Sequence, residues 1–218
     1  MSGDTRELPM FPLGSVLLPG MPLPLRVFEP RYVAMLSSVL GEGEREFGVV
    51  LIERGSEVGG GDVRFGVGTV ARITEVEIAE GSIGLLAMGA ARFEVVRWLQ
   101  DDPFPRAEVR ELAALELDPS SISALAAAEA LVRATLTRAS EFVELPWRAD
   151  VELSAEPAER IWQVAGIAPL GSLDQFALLR SRTAAELLGT LVEETRAADV
   201  RFTAGWADDR QDDDDLPP

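Results

Sequence analysis

At Asp118 the spacing of apolar residues changes, so a single repeating arrangement cannot accommodate the whole chain. Upstream they come in short runs or alternate, as strands require, and downstream they recur every three to four residues, as on one face of a helix. Phe47 to Ile52 (FGVVLI) is an unbroken apolar run of the kind found in a strand covered on both faces. Thr69 to Ala79 reads as a longer strand, with a bulge expected where Thr74 and Glu75 place two polar residues side by side. Glu80-Gly81 is read as a hairpin turn into Ile83 to Met88, and Arg92 to Trp98 and Pro105 to Leu112 follow as further strands around the turn at Asp101-Asp102-Pro103. One helix interrupts the series after Pro30, with Val33, Leu36 and Leu40 on its apolar face and Gly41 and Gly43 as its end.

The second half predicts four helices. Asp118-Pro119 supplies an N-cap and a proline at the first helical position, ahead of a face marked by Ile122, Leu125, Val132, Leu136 and Ala139. Ser154 is expected to open the next, with Ala158, Ile161, Trp162 and Ala165 buried and Gly166 as the stop. Ser172 with Gln175, and Thr183 with Glu186, have capping-box spacing. The last residues, 207–218, hold six Asp and one Arg and are expected to be a disordered acidic tail. The organisation is therefore a β-rich part over 1–117, a helical part over 118–206 and the tail, an α+β chain with segregated halves.

Composition narrows the chemistry. The chain contains no Cys, no His and no Lys, so all 20 basic residues are Arg. A Ser-His-Asp triad, a thiolate nucleophile, a Ser-Lys dyad, a Lys Schiff base and a P-loop lysine are all ruled out, and thiolate and imidazole metal sites go with them. A net charge of −17 opposes nucleic acid and anionic membranes as partners. Composition leaves open only carboxylate chemistry or a hard oxygen-ligated cation, and no cofactor or metal is expected; with no signal-peptide pattern and no long uncharged apolar run, a cytoplasmic protein is expected.

Several motifs have a plainer reading than their spelling suggests. Gly66-Val67-Gly68-Thr69-Val70-Ala71 spells a dinucleotide fingerprint, but RITEVEI follows it as a strand where a helix is required, so a glycine-relieved strand is expected. Gly55 to Asp62 reads as a hairpin loop rather than a phosphate cradle, and Glu75 with Glu77, and Asp101 with Asp102, as solvated acids. Trp162 is read as core. The unusual stretch is Leu8 to Tyr32, which carries six prolines among bulky apolar residues. Leu18-Pro19-Gly20-Met21 fits a type II turn there, and Glu29 and Arg31 form a charged pair at the start of the first helix.

This stretch, MFPLGSVLLPGMPLPLRVFEPRY, resembles the amino-terminal substrate-binding domain of the Lon ATP-dependent proteases. FGVVLIERG at 47–55, GTVARITEVEIAEGSIGLLAMGAARFEVV at 68–96 and PRAEVREL at 105–112 continue the likeness in order, and LDQFALLRSRTAAELLGTLVEE at 173–194 resembles the helices that follow in that domain. The resemblance implies a PUA-like pseudo-barrel followed by an α-helical bundle, in a stand-alone bacterial form lacking the ATPase and protease modules. It also implies a non-catalytic role, recognising protein or peptide segments in connection with proteolysis or protein quality control. Glu29, Arg31 and Tyr32 are the candidate peptide-binding residues, expected at the rim of a concavity between the strand half and the helices. RNA binding is the alternative that a PUA-like fold raises, and the acid excess opposes it. A carboxylate-based hydrolase is the third reading and needs two acids converging in a pocket.

The absent side chains make a direct prediction. The purified protein is expected neither to hydrolyse ATP nor to cleave casein, and stoichiometric turnover of either by contaminant-free protein would overturn this.

Overall fold

The computed structural model describes residues 4–42, 45–54, 63–79 and 81–213. The chain forms two compact units, Met1–Ala114 and Leu115–Pro218, divided a few residues ahead of the change in spacing.

The first unit contains strands β1 (Thr5–Leu13), β2 (Pro22–Val27), β3 (Glu46–Arg54), β4 (Val63–Ala79), β5 (Ser82–Trp98) and β6 (Arg106–Glu111), with helix α1 (Pro30–Glu42) between β2 and β3. The sheet runs β2-β5-β4-β3-β1-β6, and a further pairing of β5 with β6 closes β5, β4, β3, β1 and β6 into a ring, leaving β2 as an added edge strand. The β1–β3 pairing is parallel and every other pairing is antiparallel. Leu8, Met10, Val50, Val70, Phe93, Ala107 and Val109 form one buried cluster. Phe11 and Val49, next in sequence to members of that cluster, are buried on the opposite strand faces. Phe11 stacks on Tyr32 of α1 at 4.0 Å between ring centroids.

All six prolines of the unusual stretch find places where a missing N–H costs little. β1 pairs with β6 over Thr5–Pro9 and with β3 over Met10–Leu13, so Pro9 and Pro12 each lie where one edge of the strand is used. Pro19 stands in the expected turn, in which Gly20 takes φ +71° and Met21 N–H donates to the Leu18 carbonyl at 3.2 Å. Pro22 and Pro24 lie on the edge strand β2, and Pro30 is the first residue of α1.

Several expectations need correction. β5 is one strand through Gly89-Ala90-Ala91, where a break was expected between two strands, because β4 pairs along it on both sides of these small residues. The bulge at Thr74 is present, since Ile73 pairs with Ala87 and Glu75 with Leu86. α1 buries Tyr32, Met35, Leu36 and Val39, a stripe displaced from the expected Val33 and Leu40, which are half-buried. The glycine pair of the dinucleotide-like motif lies within β4: a Cβ on Gly68 would press on the Val49 carbonyl and lie 2.6 Å from Phe93 Cζ. Gly81 follows the β4 strand with φ +78°, while Glu80 and the loop at Gly55 to Asp62 lie outside the described residues.

The second unit contains α2 (Pro119–Ala139), α3 (Pro157–Ile167), α4 (Ser172–Leu179) and α5 (Ala184–Asp213). Asp118 caps α2 as expected, its carboxylate accepting from Ser121 N–H at 2.7 Å. Ile122 is 46% exposed although it was assigned to the buried face. At about 100° per residue it sits about 80° from Val132, whereas Ser121 sits within about 20° and is the residue buried. α3 begins at Pro157, not at Ser154; Ala158 is exposed; and the helix runs through Gly166 until Pro169 keeps Ala168 extended. α4 takes Gly171 as its N-cap rather than Ser172. At α5, Thr183 Oγ1 accepts from Glu186 N–H at 3.1 Å, but the Glu186 carboxylate reaches Arg182 N–H instead of closing a capping box. The backbone of α5 is helical through Asp213, and 214–218 lie outside the described residues.

Glu129 ties α2 to α3: its carboxylate accepts two bonds from Arg160, at 2.7 and 2.8 Å, and one from Arg133 at 2.8 Å. Arg160, and then Arg133, hold its pKa below the ordinary carboxylate value against the opposing effect of burial. The stabilisation it gives is therefore complete above the unfolded carboxylate range and fades as pH falls through the lower folded value. Glu129→Gln is expected to reduce stability at neutral pH and to shrink the loss on acidification, read from urea midpoints across pH. In the first unit, Gly68→Ala should cost about 1–3 kcal/mol by overpacking. Gly189→Ala, with open space around its Cβ in α5, should gain about 0.5–1 kcal/mol in the same urea assay.

Candidate functional site

The segment Val27-Phe28-Glu29 leaves edge strand β2 and enters α1, and this change of direction brings the candidate residues together. Glu29 precedes the helix, and its carbonyl accepts from Tyr32 and Val33 N–H, each at 3.0 Å, fixing the first turn. Arg31 Nε donates to the Glu29 carboxylate at 3.0 Å, and its guanidinium carbon lies 4.5 Å from the centre of the Tyr32 ring. Phe11 packs against the same ring with an interplanar angle of 12°. Arginine, tyrosine and phenylalanine thus form one supported group, and the carboxylate of Glu29 is held in place by it.

The three sequence candidates are adjacent, but their roles differ. Tyr32 is 3% exposed and forms buried floor instead of rim. Arg31 acts from behind, positioning Glu29. A cavity of about 90 Å³ opens beside them, lined by Phe11, Leu13, Leu25, Val27 and Tyr32, with Arg26, Phe28 and Glu29 also on its wall. Ligand pockets for small molecules run to about 300–1,000 Å³, so this cavity suits one side chain of a larger ligand and not a cofactor. It lies wholly within the first unit.

Phe28 is a further candidate that sequence reasoning did not single out. It is 62% exposed at the wall of an apolar cavity. A large residue just ahead of an N-cap ordinarily packs back onto the first helical turns, which is why FEPRY gives no hint of an exposed ring. Only the fold shows that the ring is left uncovered.

Several of the acids are exposed or held by an arginine. Glu75 and Glu77 are exposed on β4, and Asp101 pairs with Arg64 at 2.9 Å. A larger hollow of about 500 Å³ in the second unit includes Glu144 and Asp150. Arg148 holds Asp150 by two bonds, at 3.0 and 3.1 Å, and lowers its pKa, the opposite of what a general acid requires. Trp162 is buried, as expected, and Trp147 borders this hollow. No group of three or more metal-ligating acids occurs among the described residues, and no described helix is long and apolar enough to cross a membrane.

Comparison with known proteins places this geometry in context. The family model described as the ATP-dependent protease La (LON) substrate-binding domain matches residues 7–195. The Lon protease of Anaeromyxobacter dehalogenans is 35% identical over 106 residues, which is 47% of this chain and 12% of that protein. A crystal structure of a Lon N-terminal domain protein from Xanthomonas campestris superposes with TM-score 0.59 at 28% identity, covering 86% of this chain and 98% of its own. The N-terminal domain of the Mycobacterium avium complex Lon protease shares the fold, with TM-score 0.63 at 19% identity over 88% of this chain and 98% of its own.

The buried and exposed aromatics should separate cleanly. Tyr32→Ala is expected to cost about 3–5 kcal/mol of stability, while Phe28→Ala should stay within about 0.5 kcal/mol of the parent, both from urea denaturation.

Proposed function

Because the chain belongs to the Lon protease substrate-binding domain family, we propose that it binds extended segments of other proteins and performs no chemistry on them. The observation that carries this reading is the exposed Phe28 beside an apolar cavity sized for one side chain, with the Glu29 carboxylate fixed on the same wall. An apolar side chain of the bound segment seats against Leu13, Leu25, Val27 and the Phe11 ring. Phe28 covers it, and Glu29 accepts from a backbone N–H or a cationic side chain of the same segment. Arg31 contributes by positioning Glu29 and Tyr32 by supporting the floor.

The chain acts in the cytoplasm on this reading, in connection with proteolysis or protein quality control, and without cofactor. Its net charge of −17 opposes RNA and anionic membranes. Affinity is set by a small balance: burying one apolar side chain gives about 1.5–3 kcal/mol, while ordering a flexible segment costs several kcal/mol, so single peptides bind at micromolar affinity or weaker.

Amide NMR and calorimetric titration with peptides from an unfolded protein test this, at two ionic strengths. Apolar peptides should shift the resonances of Phe11, Leu25 and Phe28, tolerate moderate salt and lose roughly tenfold in affinity with Phe28→Ala. The absence of any shift at millimolar peptide rejects the site, and an electrophoretic shift of RNA at low salt in its place favours the nucleic-acid alternative.

A further inference from the structure

Beyond Arg72, the outer edge of β4 is left without a strand among the described residues. β3 pairs with β4 as far as Glu46 opposite Arg72, after which Ile73 N–H donates to Arg45 at 2.9 Å, and Thr74–Ala79 continue on β5 alone. The side chains here alternate. Val76 lies opposite Leu85 and then Leu25, and Ile78 opposite Ile83 and then Val27, so two apolar rows cross β4, β5 and β2. At the β2 end these rows reach the cavity wall through Leu25 and Val27, and at the β4 end they are open, with Ile78 84% exposed. Glu75 and Glu77 occupy the opposite face, in rows with Leu86 and Gly84. Unlike Glu7, Glu46, Glu94 and Glu108 of the same sheet, each of which holds an arginine, these two make no ion pair among the described residues.

The two outer edges of this three-stranded wing differ. β2 carries Pro22 and Pro24, which lack an N–H, and prolines of this kind block strand addition. Thr74–Ala79 contains no proline, is rich in β-branched residues and exposes Val76 and Ile78. We infer that this β4 edge accepts, as an added strand, an extended protein segment in which apolar and basic residues alternate. This rests on the reading of the chain as a binder of protein segments and names the class of segment taken at a second place on the same sheet. Apolar residues of the incoming strand extend the Val76 and Ile78 rows, while its arginines or lysines lie opposite Glu75 and Glu77. Charge disfavours a second copy of this chain there, because antiparallel pairing of the edge with itself in a same-face register sets carboxylate against carboxylate.

The test uses the full chain and three blocked peptides: Val-Arg-Ile-Arg-Val-Arg, its glutamate counterpart Val-Glu-Ile-Glu-Val-Glu, and a scrambled arginine version. The alternating arginine peptide should shift amides of Thr74–Ala79, bind more weakly as salt rises, and bind better than both controls. Joint Glu75→Arg and Glu77→Arg substitution should cost it roughly tenfold in affinity and transfer binding to the glutamate peptide. Ile78→Pro should abolish the shifts, and circular dichroism establishes that each variant is folded. Phe28→Ala should leave edge binding unchanged, so failure of the cavity reading and failure of this one are told apart. Equal binding of alternating and scrambled peptides, shifts confined to the Phe28 cavity, or edge shifts that depend on protein concentration through self-association would each overturn the inference.

Discussion

The first unit depends on β5 serving two partners along one edge. Its first part pairs with β2 over Ile83–Met88 and its last part with β6 over Phe93–Trp98, while β4 runs along the other edge from Ser82 to Glu94. Closure of the ring follows from this division, since β6 reaches β5 only because β2 has already ended. Gly89 lies at the changeover, where Gly20 N–H donates to its carbonyl at 2.8 Å and its own N–H donates to Met21 at 2.9 Å. The turn before β2 is thereby tied to the point at which β5 changes partner, and Arg92 just beyond donates to the Ala113 carbonyl at 3.0 Å to hold the far side. β2 is left as an edge strand ending at Val27, and Phe28, Glu29 and the start of α1 follow from that ending.

What could be read in the sequence was whatever local chemistry decides. Pro19-Gly20 dictates its turn and Asp118-Pro119 its helix start through their own φ preferences and side-chain oxygen, so neither needed a neighbour. Gly68 was legible as strand because the residues after it alternate. The continuity of β5 was not, because Gly89-Ala90-Ala91 spells a break and only its pairing with β4 carries the strand through. Ser121 replaced Ile122 on the buried face for a geometric reason: a helix of twenty-one residues buries whichever side its partners meet, polar or not.

The candidate site divides along the same line. Glu29 and Arg31 were visible as a charged pair at a helix start, and they pair. Tyr32 was assigned to a rim because its environment is decided by Phe11, a residue of β1 that the local segment does not contain. Phe28 was missed for the converse reason: its exposure comes from what fails to cover it, which no local pattern records.

The electrostatics follow from the all-arginine basic complement. Glu46 of β3 receives Arg6 of β1 at 2.9 Å and Arg72 of β4 at 2.8 Å, Glu7 of β1 receives Arg106 of β6 at 3.0 Å, and β5 meets β6 through Arg97 with Glu108 and Arg110 with Glu94. Apart from those at the buried Glu46, these are surface pairs that add about 0–1 kcal/mol each, so their effect on total stability is modest. Their value is in register, since a strand slipped by one residue would send each charge to the other face and leave its partner alone. Arginine suits the task because its planar fork meets a carboxylate through two N–H groups, as at Glu108 and Glu94. With 20 arginines against 37 acids, the chain as a whole keeps an excess of negative charge. Such an excess attracts cationic groups over a Debye length of about 8–10 Å, inside which short-range contacts act.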